Sequence, residues 1–219
     1  LAYEMIKKSG KKVHLAGNIG YPLTSFLNKL EKGDIIVMEV SCQQLENMSK
    51  FRPHIALMTN LSMAHIDFLK TYENYKRVKF KIFQNQEKDD IAILNMENEE
   101  VMAGAEKIKA MVKYFSSKSE INGAYYSEDA LWYYGEKIID RKDFFLKGNH
   151  NVENALGALM IAKEVGVETK DIKEVLETFK GVPHRLEYVD EIDGVEYYND
   201  TETTNTKSTQ IALSSFKEN

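Results

Sequence analysis

The chain has one cysteine, no long hydrophobic run and no excess of basic residues. The single Cys42 excludes an intrachain disulfide and is typical of a reducing compartment such as the cytoplasm. No apolar run approaches the roughly 18 residues of a membrane span, and we expect no signal peptide. Lys and Arg number 29 against 34 Asp and Glu, a net charge of −5. These features predict neither a membrane nor a nucleic-acid partner.

The composition is that of a globular protein with a sizeable core. Hydrophobic residues make up 43% of the 219 residues, which suits one large domain or one and a half. The chain starts at Leu1 within a helical pattern that ends at Gly10, so we expect a fragment of a longer protein. Gly181-Val-Pro183 is the best candidate for a domain boundary, giving domains 1–182 and 183–219.

Short apolar runs alternate with helical patterns along most of the chain. The runs 34–40, 55–59 and 91–95 are typical of strands buried on both faces. This alternation predicts an α/β fold with a mostly parallel sheet and crossover helices. Aromatic pairs separated by turns predict an antiparallel meander over 124–146.

Local signals predict four further elements. Pro22 suits the first turn of a helix that reaches about Leu30. Asn151 is predicted to cap a helix that runs to Val165. The stretches 185–191 and 195–199 are expected to form strands joined by a turn at Asp193-Gly194.

A candidate metal site lies where predicted strands end. Glu39 follows one apolar run, and His65 and Asp67 follow the next. Carboxylate oxygens there could share a hard cation such as Mg²⁺. The alternatives are a carboxylate bonded to loop backbone, a surface histidine and an aspartate that caps the next helix.

Lys79 is a second candidate. Its spacing from Tyr72, Tyr75 and Val78 places it on or beside the apolar face of a helix. A partly desolvated amine there would be more available to a carbonyl or to carbon dioxide. The alternative is an ordinary solvated lysine beside other basic residues.

Three polar segments complete the candidates. Asn154 lies near the start of the predicted helix and offers an amide to a flat heterocycle, unless the segment is only a cap. Arg185 could bind a phosphate with its planar fork or pair with a nearby carboxylate. Residues 199–205 could bind an anion at a helix N-terminus or serve only as caps.

Seven motifs occur in the order found in Mur ligases, and the chain resembles the D-glutamate-adding branch of that family over essentially its whole length. The motifs are Gly17-Asn-Ile-Gly20, Glu39-Val-Ser41-Cys-Gln-Gln44, Asn60…His65-Ile-Asp67, Tyr75-Lys-Arg-Val-Lys79, Gly148-Asn-His-Asn151-Val-Glu-Asn154, Pro183-His-Arg185-Leu-Glu187 and Asn199-Asp200-Thr-Glu-Thr-Thr-Asn205.

The resemblance implies the central domain of a Mur ligase and the start of a Rossmann-like carboxyl-terminal domain. It implies that ATP phosphorylates UDP-N-acetylmuramoyl-L-alanine and that D-glutamate then attacks the acyl phosphate, in peptidoglycan precursor synthesis by a cytoplasmic monomer. The resemblance also implies roles for single residues. Glu39, His65 and a carbamylated Lys79 would bind Mg²⁺, and His65 and Lys79 would be catalytic. The UDP-sugar would face Asn18, Ser41 and Gln44, the nucleotide would be bound by Asn154, Arg185 and Asp200, and D-glutamate would lie near Thr204.

The sequence also departs from the family pattern. The phosphate-binding loop, Gly-x-x-Gly-Lys-Ser/Thr, does not occur in these 219 residues, and in the family it precedes a helix like residues 1–9. We therefore expect the fragment alone to be inactive. Ala64, Cys42 and Glu202 replace residues common in the family, and Glu202 reverses a charge. A folylpolyglutamate-synthase-like ligase and a non-catalytic nucleotide-binding remnant are the alternatives.

Overall fold

The computed structural model describes residues 1–63, 66–203 and 206–216, without the side chains of Ile66, Asp67 and Lys207. The strands are β1 Val13–Gly17, β2 Ile35–Glu39, β3 Ile55–Met58, β4 Ile91–Asn95, β5 Met111–Ser116, β6 Ala124–Ser127, β7 Ala130–Tyr133, β8 Glu136–Asp140, β9 Glu187–Ile192 and β10 Val195–Asn199. The helices are α1 Ala2–Lys8, α2 Cys42–Glu46, α3 Ile66–Leu69, α4 Tyr72–Phe80, α5 Glu99–Ala103, α6 Asn149–Glu164, α7 Thr169–Thr178 and α8 Thr206–Leu213.

The main sheet has six strands in the order β3-β4-β5-β6-β7-β8. Strands β3 to β6 are parallel, and β6, β7 and β8 form an antiparallel meander. The mostly parallel sheet and the meander predicted from the sequence are both confirmed. Strands β1 and β2 form a separate parallel pair, and β9 and β10 form an antiparallel pair.

Helices cover both faces of the main sheet. Side chains alternate along β4, so Ile93 joins the core under α1, α6 and α7 while Ala92 and Leu94 join the core under α2, α4 and α5. The first core is the larger and includes Phe115 and Leu159, which are fully buried. This layering leaves the ends of the strands as the place where loops meet.

The hairpin of β9 and β10 matches its prediction, but two local predictions are wrong. Residues 22–30 form two short 3₁₀ turns, Leu23–Ser25 and Leu27–Lys29. Between them Phe26 adopts φ −138° and stacks on His14 with ring centroids 5.3 Å apart, which interrupts the helix. Asn151 does not cap α6, which Gly148 precedes; its side chain lies in the first turn and donates to the Lys147 carbonyl at 2.7 Å.

No helix within the described ranges is long and apolar enough to cross a membrane. The boundary predicted at residue 183 stays a prediction. It falls where the chain leaves the α6–α7 layer and enters the separate β9–β10 pair.

A buried carboxylate ties the start of β3 to the start of β4. The Asp90 side chain is only 4% exposed. It accepts hydrogen bonds from Arg52 Nε at 2.5 Å, from the Glu87 amide at 2.9 Å and from His54 Nδ1 at 3.1 Å. The hydrogen bond from Arg52 is the largest cause that lowers the pKa of Asp90 from 3.8 to about 2.

We predict that this carboxylate makes the fold acid-sensitive. Because the pKa of Asp90 is lower in the folded state, its stabilisation is present above pH 3.8 and is lost as the pH falls toward about 2. The loss should be at most about 2 kcal/mol. Urea unfolding of Asp90→Asn should show a smaller fall in stability between pH 5 and pH 2 than the unchanged protein.

The matched control is Asp89→Asn. Asp89 contacts the same arginine but is 78% exposed, and exposed pairs contribute little. An identical pH dependence for both variants would contradict the role of Asp90.

Candidate functional site

A cleft of about 1230 Å³ lies between β2 and β3. Its walls are the two strands, with α1 and α6 on one side, the end of α4 on another and the turn after α7 at one end. The carboxyl ends of parallel strands are where α/β sheets bind ligands. Five residues predicted from the sequence line this one cleft: Glu39, Lys79, Asn154, Arg185 and Asp200.

Glu39 is held in place by the end of β1. Gly17 pairs with Glu39 and has φ +105°, and a Cβ at Gly17 would overlap the Glu39 carbonyl oxygen. The Asn18 amide donates to that carbonyl at 2.9 Å, and Asn18 Nδ2 donates to Glu39 Oε1 at 2.8 Å. Asn18 therefore orients the Glu39 carboxylate; its predicted contact with a substrate stays a prediction.

Ser41 and Gln44 form the cap of α2. Ser41 Oγ accepts from the Gln44 amide at 3.3 Å, and Gln44 Oε1 accepts from the Ser41 amide at 2.9 Å. This reciprocal arrangement satisfies free donors at the start of the helix. Neither residue lines the cleft, so their predicted role in substrate binding is not supported by their placement and stays a prediction.

Lys79 is half-buried on α4, as the helical spacing predicted. Its Nζ lies 5.8 Å from the centre of the Tyr75 ring, and Tyr75 is 6% exposed. Lys76 pairs with Glu73 at 2.7 Å, and Lys81 donates to the Glu46 carbonyl at 2.6 Å. Within the described residues no ion pair joins Lys79 to a carboxylate, whereas Lys76 pairs with Glu73 and Glu100, and Lys79 lines the cleft.

His65 and Thr204 lie outside the described residues, as does the side chain of Asp67. In the part of the chain that is described, no three His, Cys, Asp or Glu side chains are grouped to hold a metal ion. The predicted metal set of Glu39, His65 and Lys79 therefore stays a prediction.

The start of α6 lines the cleft with amides. Asn154 Nδ2 donates to Asn151 Oδ1 at 3.4 Å, and no group in the described part of the chain donates to the Asn154 side-chain oxygen. Both residues line the cleft. A pair of linked amides can read the donors and acceptors of a planar ring.

The turn that carries Arg185 is strained and anchored. His184 has φ +65° and Leu186 has φ +44°, a left-handed conformation that is unfavourable for both residues. The Leu186 amide donates to Asp200 Oδ1 at 3.1 Å, and the His184 amide donates to Glu187 Oε2 at 2.8 Å. Asp200 therefore fixes the turn that presents Arg185, since strained backbone persists only where its surroundings hold it.

Arg185 has a carboxylate within reach. Its Nη2 lies 4.0 Å from Glu202 Oε2, and both side chains are more than half exposed. This contact is at the limit of an ion pair and is weak in water. Arg185 is thus free to bind a phosphate at low cost.

Sequence reasoning missed a buried polar group beside the cleft. Asn95 Nδ2 donates to the Thr59 carbonyl at 2.9 Å and to Glu153 Oε2 at 3.1 Å, and Ser117 Oγ donates to Glu153 Oε1 at 3.0 Å. Asn95 is 1% exposed. The sequence contains a signal for this residue, because Asn95 is a polar residue at the end of an apolar run, as Glu39 is.

His150 was also missed. It lines the cleft, and its Nδ1 is buried with no hydrogen-bond partner among the described protein groups. Burial lowers the pKa of His150, which favours the neutral imidazole.

The fold and the cleft together define an α/β protein with a large cleft beside the carboxyl ends of parallel strands, which is where such folds bind ligands. The family description of the Mur ligase middle domain matches residues 1–162. The chain belongs to this family.

Relatives of known name extend the match. The chain is 42% identical over 219 residues to the UDP-N-acetylmuramoylalanine–D-glutamate ligase of Thermoanaerobacter pseudethanolicus, covering 98% of this chain and 48% of the relative. It is 42% identical over 216 residues to the enzyme of that name from Lactococcus lactis subsp. cremoris strain MG1363, covering 99% and 48%. The chain thus spans about half the length of these relatives.

Solved structures share the fold. The MurF ligase of Thermotoga maritima in complex with ADP has a TM-score of 0.72 at 17% identity, covering 98% of this chain and 53% of that one. The pseudomurein peptide ligase type C of Methanothermus fervidus has a TM-score of 0.72 at 19% identity, covering 99% and 54%.

We predict that Gly17 is required for the position of Glu39. An alanine at Gly17 would be strained by its positive φ and would also overlap the Glu39 backbone. Gly33 has a similar φ of +101° but open space around it. Gly33→Ala should therefore cost about 1–2 kcal/mol, and Gly17→Ala at least about 1 kcal/mol more.

Urea unfolding of both variants measures the difference. Equal decreases in the free energy of unfolding would show that the close contact between Gly17 and the Glu39 backbone does not affect stability.

Proposed function

We propose that the longer protein containing this chain is an ATP-dependent ligase that joins D-glutamate to UDP-N-acetylmuramoyl-L-alanine in the cytoplasm, for peptidoglycan precursor synthesis. The observation that carries this proposal is the convergence of Glu39, Lys79, Asn154, Arg185 and Asp200 on one cleft. The names of two relatives that are 42% identical to this chain support the choice of D-glutamate as the added amino acid.

The reaction requires activation of a carboxylate. The γ-phosphoryl group of ATP passes to an oxygen of the L-alanine carboxylate, which gives an acyl phosphate and ADP. The amine of D-glutamate then attacks the carbonyl carbon, phosphate leaves, and a proton is lost from nitrogen as the amide forms. Negative charge accumulates on the phosphoryl oxygens, so fixed cations must face them.

Arg185 is the residue of this chain best suited to meet that charge. Its guanidinium can bind two phosphate oxygens at once. Asp200 holds the turn that presents it, through the Leu186 amide. In this proposal Asp200 also contacts the ribose through its second oxygen, and Asn154 contacts the adenine.

Glu39 fits a hard cation. Asn18 occupies Oε1, while no described protein group donates to Oε2. A free carboxylate oxygen is the ligand type that Mg²⁺ takes in nucleotide sites. We propose that Glu39, His65 and Lys79 hold Mg²⁺, which when bound would neutralise phosphate charge.

Lys79 has the placement that carbamylation needs. The residue is half-buried, lines the cleft and is not paired with a carboxylate among the described residues. Addition of carbon dioxide to the neutral amine, with loss of a proton, would convert Lys79 to a carboxylate ligand. The UDP-sugar would lie against Asn18, Ser41 and Gln44, and D-glutamate near Thr204.

One observation favours a second candidate, a nucleotide-binding remnant without catalysis. Glu202 places a negative charge 4.0 Å from Arg185, on the residue proposed to bind phosphate. A longer protein that binds ATP but forms no amide product would favour this candidate, particularly if Glu202→Lys restored product formation.

We predict that Lys79 is essential to the longer protein. Lys79→Ala should lower the rate of D-glutamate-dependent ADP release about 100-fold or more, since it removes one of the groups proposed to hold the Mg²⁺ that neutralises phosphate charge. Bicarbonate added to a carbon-dioxide-depleted assay should raise the rate of the unchanged protein and leave Lys79→Ala unaffected. The assay contains UDP-N-acetylmuramoyl-L-alanine, ATP and Mg²⁺.

Lys81→Ala is the matched control. Lys81 lies on the turn that continues α4 but donates to the Glu46 carbonyl, so its loss should leave the rate within about threefold. Equal rates for both variants, or no response to bicarbonate at any level, would count against the role of Lys79.

A further inference from the structure

A glutamate near the start of α6 is tied to the ends of two strands of the main sheet. Glu153 Oε2 accepts a hydrogen bond from Asn95 Nδ2 at 3.1 Å, and Glu153 Oε1 accepts one from Ser117 Oγ at 3.0 Å. Asn95 is the last residue of β4, and Ser117 follows directly after β5. The Glu153 side chain therefore joins the first turns of α6 to the carboxyl edge of the sheet.

Asn95 is the fixed end of this connection. Its Nδ2 also donates to the Thr59 carbonyl at 2.9 Å, and its Oδ1 accepts from the Glu97 amide at 2.9 Å. A reversed amide would set the Asn95 oxygen against the Thr59 carbonyl and the Glu153 carboxylate, so its orientation is determined. With Asn95 only 1% exposed, the donor that meets Glu153 has a set position.

Glu153 lines the cleft, but its carboxylate is engaged by the protein. Each oxygen already accepts a hydrogen bond, and both donors are neutral groups. The negative charge of the carboxylate is therefore not balanced by these two donors. Such a charge repels a phosphate close to it and is compatible with the uncharged base of a nucleotide.

The residue that follows Glu153 is Asn154, which is exposed and lines the cleft. Asn154 Nδ2 donates to Asn151 Oδ1 at 3.4 Å, and Asn151 Nδ2 donates to the Lys147 carbonyl at 2.7 Å. These contacts lie within α6 and the residues just before it, whereas the hydrogen bonds of Glu153 reach the sheet. The position of the Asn154 amide relative to the sheet edge therefore depends on Glu153 as well as on the packing of α6.

We propose that Glu153 is a positioning residue for nucleotide binding, which holds the first turns of α6 through Asn95 and Ser117 so that the Asn154 amide meets the base. This inference rests on the proposed function, since it takes the nucleotide base as the ligand of this part of the cleft. Because Glu153 acts through Asn154, its effect on affinity disappears when the Asn154 amide is removed.

A double-mutant cycle in the longer protein tests this, with calorimetric titration of ADP in the presence of Mg²⁺. Glu153→Ala should weaken ADP binding about fivefold when Asn154 is present and less than about twofold in the Asn154→Ala background. Glu153→Gln should stay within about twofold of the unchanged protein. Its amide oxygen can accept from Asn95, and the Ser117 hydroxyl can turn to accept from its NH₂ group.

Glu164→Ala is the matched control. Glu164 lies at the other end of α6, its side chain is 10% exposed, and it accepts a hydrogen bond from Lys113 of β5 at 2.5 Å. It does not line the cleft. Its loss should lower the melting temperature, as loss of Glu153 should, but leave the affinity for ADP within about twofold.

Equal ADP affinity for the unchanged protein and Glu153→Ala would overturn the inference and leave the proposed function intact. An equal loss with and without Asn154, or the same loss in Glu164→Ala, would show a general effect on the fold and would also overturn it. No ADP binding by the unchanged protein would overturn the proposed function together with the inference. If Glu153→Ala does not fold, Ser117→Ala tests the same contact and should weaken ADP binding about threefold, again only when Asn154 is present.

Discussion

Parallel pairing of short apolar strands is the constraint on which the site depends. Because the strands run in the same direction and end in polar residues, their ends bring Glu39, Thr59 and Asn95 into the loop region at the carboxyl edges. The apolar strand interiors meanwhile fill two cores, one on each face. The same pairing thus separates the part of each strand that stabilises the fold from the residue that can act on a ligand.

Two polar residues of the cleft, Glu39 and Arg185, are positioned by neighbouring groups. Asn18 holds one oxygen of Glu39, and Asp200 holds the turn that presents Arg185. Lys79 differs from Lys76 and Lys81 in having no such partner among the described residues. This division suits a nucleotide, whose phosphates need cations on one side and whose base needs amides on another.

Much of this arrangement could be predicted from the sequence. Short continuous apolar runs predict the strands of the parallel sheet. The helical spacing of the apolar residues predicts that Lys79 lies at the edge of a buried helix face. The ordered motifs identified the family before any geometry was known. The helix predicted from Pro22 to about Leu30 is wrong because a tertiary contact determines the local backbone there: Phe26 stacks on His14 and interrupts the helix.

Other features have no local signal. The left-handed turn around Arg185 depends on a carboxylate fourteen residues away in sequence. The role of Asn18 in orienting Glu39 depends on strand pairing over 21 residues. The cleft lies between β2 and β3, which do not pair with each other or with another strand on those edges within the described residues. No local sequence pattern predicts this.

The central claim is that this cleft binds the nucleotide, and calorimetric titration of the longer protein with ADP and Mg²⁺ tests it most directly. Asn154 lines the cleft, whereas Asn149 begins the same helix outside it. Asn154→Ala should weaken ADP binding about tenfold, which corresponds to about 1.4 kcal/mol, and Asn149→Ala should leave it unchanged. Equal affinities for the unchanged protein and for both variants would place the nucleotide elsewhere.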